Sequence, residues 1–117
     1  QLLQRLLCTS TGNVSVRLAG SQGPLQGRVE LQAGNGDWGT ICDDRFGDRD
    51  ARVVCRQLGY HNGFASEGGV FPEGTGNIWL DHLNCAGNES SVADCQIDRW
   101  RDHDCTHKED AGVICEG

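Results

Sequence analysis

Six cysteines spread over the last two-thirds of this 117-residue chain constrain its fold more than any other feature. They are Cys42, Cys55, Cys85, Cys95, Cys105 and Cys115; a seventh, Cys8, stands apart near the start. No two are spaced as C-x-x-C, the pattern that paired zinc ligands favour. An even, widely spaced set reads instead as a disulfide framework made in an oxidising compartment, so the expected location is extracellular, in a secreted protein or a membrane-protein ectodomain. The chain needs such staples, because hydrophobic content of 37% and aromatic content of 6% give a single domain of this length only a thin core. Spacing alone does not choose among the possible pairings. Cys8, as the odd cysteine, suggests an intermolecular disulfide or a partner elsewhere.

Between the cysteines the pattern alternates short strands with glycine-rich turns. Residues 1–15 read as a tail or linker: Leu2, Leu3, Leu6 and Leu7 recur at helical spacing, and Thr9–Ser15 is polar. The compact domain is expected over residues 16–117. Val16–Ala19 and Arg28–Ala33 alternate polar and apolar residues, and Gly34-Asn35-Gly36-Asp37 is a turn that tolerates positive φ, so Arg28–Ala33 and the strand from Trp38 form a hairpin. The one good helix follows, with Asp48 or Asp50 expected as its cap, an apolar stripe of Ala51, Val54, Cys55 and Leu58, and Gly59 just past its end. Tyr60–Asn77 has no defensible period. Ile78–Asp81 and Ala111–Cys115 read as strands, and Asn88–Cys95 as one or two helical turns capped by Asn88 or Ser90. Trp38 and Trp79 are expected in the core, and Trp100 in a loop. Asn13 and Asn88 open N-glycosylation sequons.

A formal net charge of −7 argues against general affinity for nucleic acid or acidic membranes. No run of about 18 apolar residues is present to cross a bilayer as a helix. Neither G-x-S-x-G nor H-E-x-x-H occurs, and no cysteine of the domain is left over as a nucleophile, so an enzyme is not expected. His103 and His107 flank Cys105 in a pattern that suggests zinc.

Trp38-Gly39-Thr40-Ile41-Cys42-Asp43-Asp44-Arg45 carries the strongest functional signal. It reads as a β-rich strand, then a crosslink, then two adjacent carboxylates where the strand ends. On a regular strand neighbouring side chains point to opposite faces, but beyond its end both can turn toward one point, and two converging anions need a cation.

These pieces, in this order, resemble a scavenger receptor cysteine-rich (SRCR) domain. The resemblance rests on Val16-Arg17-Leu18, Gly27-Arg28-Val29-Glu30, Trp38–Asp44, Val53–Tyr60, Gly74-Thr75-Gly76, Ile78–Asp81, Gly87–Ser91 and His107–Cys115, and covers about Val16 to Glu116. Two positions that hold an extra cysteine pair in the eight-cysteine group are filled by Leu25 and Tyr60, so the chain is similar to the six-cysteine group A. The resemblance implies the pairs Cys42–Cys105, Cys55–Cys115 and Cys85–Cys95. It implies an α+β fold: a small disulfide-rich domain in which a curved antiparallel β-sheet cradles one main α-helix, with long loops. It also implies calcium sites, one from Asp43, Asp44 and Glu109 and a neighbouring one from Asp44, Asp81, Asn84 and Asp104. Hard oxygen donors of this kind suit Ca²⁺, and Mg²⁺ less well. If Cys42 bonds Cys105, as the resemblance implies, a disulfided Cys105 is no zinc ligand.

The expected function is therefore an extracellular ligand-binding module of scavenger-receptor type. It would recognise polyanionic or microbial surface ligands, or a protein partner, in a calcium-dependent way, with Arg45, Arg49, Arg99, Arg101 and Lys108 adding cationic contacts. The alternative is an accessory domain of a larger secreted or membrane-anchored enzyme, a protease or oxidase. A third reading is a structural spacer without ligand.

Overall fold

The computed structural model describes residues 14–21, 23–66, 70–100 and 105–117. Strands β1 (Val14–Ala19), β2 (Gln26–Ala33), β3 (Gly39–Ile41), β4 (Asn62–Ser66), β5 (Asn77–Asn84), β6 (Gln96–Trp100) and β7 (Gly112–Glu116) surround one ten-residue helix, α1 (Asp48–Gln57). The strands form one sheet in the order β4-β7-β2-β3-β5-β6, with β1 paired along β2. Pairing is antiparallel except between β3 and β5, which run parallel. The curved sheet with one α-helix among the described residues is the expected fold class.

Alternation along the strands sends Val29 and Leu31 of β2, Ile41 of β3 and Val113 of β7 into the core, where each is at most 3% exposed. The helix meets them with Ala51, Val53, Val54 and Cys55, all fully buried. The expected hairpin is present, with Glu30 opposite Thr40 and Leu31 opposite Gly39. Gly59 ends the helix at φ +96°, in the left-handed region where glycine is favoured.

The three disulfides are Cys42–Cys105, Cys55–Cys115 and Cys85–Cys95. Cys55–Cys115 fastens α1 to β7, Cys42–Cys105 fastens the end of β3 to the segment before β7, and Cys85–Cys95 closes the loop after β5. The first two span 60 and 63 residues. In the chain-entropy picture each contributes about 4 kcal/mol by restricting the unfolded chain, and the 10-residue loop about 3 kcal/mol.

Several local expectations are corrected. The helix cap is Gly47 rather than Asp48 or Asp50. Asp50 is buried and reaches back to accept the Gly47 N–H at 2.9 Å and the Cys85 N–H at 2.7 Å. Burial pushes its carboxyl up from its ordinary value, against these backbone hydrogen bonds. Asp48 accepts the Ala65 N–H at 2.9 Å. The two acids therefore moor the helix start to neighbouring segments. Tyr60–Asn77 contains β4, a strand whose Asn-Gly-Phe-Ala-Ser sequence carries little β propensity. It forms because Gly63 has no side chain: a Cβ there would stand 2.2 Å from Cys55 Sγ, so only glycine lets the strand close on the helix. Trp100 ends β6 rather than lying in a loop. Residues 92–94 make a single 3₁₀ turn capped by Ser91, whose Oγ accepts the Ala93 N–H. Trp38 and Trp79 are only half-buried. The Arg17 guanidinium stacks 4.1 Å above the Trp38 ring, and Trp79 lies over Gly39 with its Nε1–H on the Asp37 carbonyl.

Gly63→Ala is expected to destabilise the domain by about 1–3 kcal/mol, through overpacking against the Cys55–Cys115 bridge. Chemical denaturation of oxidised protein measures this. A change within experimental error would mean that β4 can shift without loss.

Candidate functional site

The acidic corner is built by backbone bonds before any side chain is considered. At the end of β3 the Cys42 N–H donates to the Leu80 carbonyl of β5 at 2.8 Å. On the other side the Ala111 N–H donates to the Ile41 carbonyl and the Asp43 N–H to the Glu109 carbonyl, both at 2.7 Å. Asp43–Phe46 then makes a turn closed by the Phe46 N–H on the Asp43 carbonyl at 3.0 Å. Arg45 sits at the third position of that turn with φ +59°, a conformation that usually selects glycine or asparagine. Phe46 is buried and anchors the turn to the core. From the opposite side Glu109 closes a 3₁₀ turn, His107–Glu109, where its Oε1 accepts the Thr106 N–H at 3.3 Å.

The result is convergence. Carboxylate oxygens of Asp44 and Glu109 and the sulfurs of Cys42 and Cys105 lie within 4.8 Å of one another. The Cys105 sulfur is 3.9 Å from Asp44 Oδ2. Oxidised sulfurs are not metal ligands, since the thiolate is the ligand form, so the donors here are the two carboxylates. Beside them opens a pocket of about 270 Å³ lined by Asp43, Asp44, Arg45, Phe46, Ala65 and Ser66. Phe46, Ala65 and Ser66 were not legible as site residues. Ser66 ends β4, the strand that propensity hides.

The other expected site residues fall as follows. Asp81 is fully buried on β5, next to the Leu80 that bonds Cys42, and its backbone pairs with Arg99 of β6. Asn84 is exposed, three residues further along β5. Arg45 is exposed beside Asp44, Arg49 on the first turn of α1, and Lys108 beside Glu109. Asn88 is exposed in the loop after β5. Asp104, Arg101, His103, Asn13 and Cys8 lie outside the described residues.

One neighbour of the corner was underrated. His107 Nδ1 lies 3.0 Å from both carboxylate oxygens of Asp110, and Nε2 lies 3.0 Å from the Gly76 carbonyl. Asp110 also accepts the Gly74 N–H at 2.8 Å. Loop 74–76 is thereby clamped to the segment that carries Glu109. An imidazole between two oxygen acceptors donates from both nitrogens, which is the charged form. Burial opposes that charge. The Gly76 carbonyl, the Asp110 hydrogen bond and the charges of Asp110 and Glu73 outweigh it, so the pKa is raised. The H-x-x-D spacing of His107 and Asp110 was the available signal. With both nitrogens engaged, His107 is occupied as a clamp rather than poised as a zinc ligand.

The model of the scavenger receptor cysteine-rich domain family matches residues 19–116. Human lysyl oxidase homolog 3 is 44% identical over 98% of the chain, and mouse macrophage scavenger receptor types I and II is 49% identical over 91%. The chain spans only 18% and 23% of those relatives' lengths. Among solved structures, the third SRCR domain of murine neurotrypsin superposes with a TM-score of 0.81 at 46% identity, covering 89% of this chain and 97% of that one. The dimeric form of the SRCR domain of mouse MARCO gives a TM-score of 0.72 at 48% identity, covering 86% and 94%. What the fold and the three bridges define is a disulfide-stapled module of a kind found both in a scavenger receptor and in a lysyl oxidase homolog. The chain belongs to the scavenger receptor cysteine-rich domain family, and its three bridges are those of the six-cysteine type.

The clamp makes stability depend on pH with a definite sign. Because the folded pKa of His107 is raised above its ordinary 6.5, its contribution is complete below 6.5 and is lost as pH rises through the folded value. Calorimetric melting is expected to fall over that window in the parent chain, and to fall less in His107→Gln. Parallel pH profiles for the two would remove the clamp.

Proposed function

We propose that this domain is an extracellular binding module that holds Ca²⁺ at its acidic corner and recognises polyanionic or microbial surface ligands, or a protein partner, through that ion. Asp43, Asp44 and Glu109 would hold one ion; Asp44, Asp81, Asn84 and Asp104 would contribute to a neighbouring one. The observation that carries this reading is the approach of the Asp44 and Glu109 carboxylates, held by backbone bonds and a disulfide, with Asp44 also lining the pocket.

The donor set fits the ion. Two oxygens on opposite sides of one Ca²⁺ stand about 5 Å apart, and on one Mg²⁺ about 4 Å. Atoms gathered within 4.8 Å of one another are close enough for the two carboxylates to share one such ion. Bound at so few protein ligands, the ion supplies open positions for a carboxylate, sulfate or phosphate and reverses the sign of the local field. Arg45, Arg49 and Lys108 are exposed on the neighbouring segments and would add cationic contacts, as would Arg99 and Arg101.

The similarity to lysyl oxidase homolog 3 favours a second reading, in which the same module serves as an accessory domain of a larger enzyme. The two are separated by what the chain is joined to, and the calcium corner serves either.

Calorimetric titration with CaCl₂ is expected to give a dissociation constant on the order of 10⁻⁴–10⁻³ M. Asp44→Asn, which keeps shape and removes charge, is expected to abolish the heat. No heat from the parent chain, or an unchanged heat from the variant, would overturn the assignment.

A further inference from the structure

We propose that the outer face of β4 and β7, at Phe64 and Ile114, is a docking surface for a basic amphipathic helix of a partner protein. Asn62, Phe64 and Ser66 alternate onto one face of β4, and Gly112, Ile114 and Glu116 onto the same face of β7, with Phe64 directly opposite Ile114. The other face belongs to the core: Gly63 closes on Cys55, and Val113 and Cys115 are buried. Among the described residues the exposed large hydrophobics are Leu25, Phe64, Val70 and Ile114, each between 40% and 59% exposed, and all four adjoin this face. Leu25 precedes Gln26, which pairs with Ile114, and its carbonyl accepts the Cys115 N–H at 2.6 Å. Val70 precedes Phe71, whose ring rests on Gly112, where a Cβ would stand 2.6 Å from Phe71 Cδ2.

One half of the face is covered and the other is bare. The 70–74 loop lies over Gly112 and Ser66, tied down by Arg28 Nη1 on the Pro72 carbonyl and by the Gly74 N–H on Asp110. Among the described residues that cover stops at Phe71, one strand repeat of about 7 Å short of Ile114. Phe64 and Ile114 face each other on the bare half as a cross-strand pair. Contiguous exposed apolar side chains mark an interaction site, where singly scattered ones do not.

The surroundings choose the occupant. The edge of β4 is closed, because its Ala65 N–H donates to Asp48 at 2.9 Å and α1 packs along it at Gly63. A partner therefore cannot extend the sheet as an added strand and must dock by side chains on the face, as a helix with an apolar stripe does. The free charges bordering the face are acidic: Glu116, exposed one repeat beyond Ile114, and Glu73, exposed in the covering loop. Of the nearby cations, Arg28 is spent on Glu30 and the Pro72 carbonyl, and Arg52 comes from the helix side onto Asn62 Oδ1. Charge complementarity asks for lysine or arginine flanking the apolar stripe. The same acids repel anionic lipid headgroups, which sets a membrane surface aside.

The test is a fluorescence-anisotropy titration of the parent chain with a synthetic helical peptide of leucine and lysine, its leucines on one face, in calcium and again in EDTA. Binding is expected in both, so this proposal and the calcium corner fail separately. Phe64→Thr and Ile114→Thr put a strand-forming residue at an exposed position. Each is expected to weaken binding at least about tenfold through lost apolar contact, without changing the calcium titration. Glu116→Gln is expected to weaken it less and to reduce its dependence on salt. A peptide of the same composition with its leucines scattered around the helix, and one with glutamate for lysine, are expected to bind poorly. No binding by the parent, equal binding of the scattered peptide, or full binding by both threonine variants would overturn the proposal. So would binding abolished by calcium, which would place the peptide at the acidic corner. A dimer in sedimentation velocity that Ile114→Thr dissociates would assign the face to a second copy and overturn it too.

Discussion

The end of β3 is gripped from two directions, and the rest of the domain is arranged around that grip. Leu80 of β5 takes the Cys42 N–H, while Glu109 and Ala111 exchange bonds with Asp43 and Ile41. Segments about forty and seventy residues apart in sequence thus meet across three residues, and the Cys42–Cys105 bridge makes the meeting covalent. This explains how a chain with a thin core can hold two carboxylates near each other. Their repulsion in water is about 1 kcal/mol at 4 Å and rises where solvent is partly excluded. Against it stand several backbone hydrogen bonds and a crosslink whose entropic effect is larger.

Acidity is distributed between two uses. Part of the excess negative charge lies inside as scaffolding: Glu30 between Arg17 and Arg28, Asp50 under the helix start, Asp110 beneath His107. Each is buried, and each is satisfied by donors of fixed position. Asp43, Asp44 and Glu109 are half-exposed, and Asp43 and Asp44 line an open pocket. A formal net charge of −7 therefore says little by itself about the surface a ligand meets.

Much of this was legible beforehand, and the gaps have physical causes. Cysteine spacing marked a staple framework, while the pairing came from resemblance rather than geometry. The Val29/Leu31 alternation and the Asn-Gly turn gave the hairpin. Asp43 and Asp44 announced themselves by their place at a strand's end. What stayed hidden was formed by tertiary contact. β4 depends on Gly63 yielding space to a sulfur, which no local pattern encodes. The cap at Gly47 depends on Asp50 turning inward. Trp38 reads as core by composition, yet it is held at the surface under the Arg17 guanidinium. The gathering of Asp44 with Glu109 needed knowledge of which distant segments touch.

The placement of the first and last described strands has a consequence for how the acidic turn is displayed. Gln57, the last residue of α1, holds the Val14 carbonyl at 2.6 Å, and His61, just past the helix, donates to the Glu116 carbonyl at 3.0 Å. The first and last strands thus have their outer ends at the foot of the helix, while the Asp43–Phe46 turn leads into its head, about 15 Å away along ten residues. The acidic turn thus stands at the opposite end of the helix from the outer ends of β1 and β7, like the tip of a lollipop from its stick.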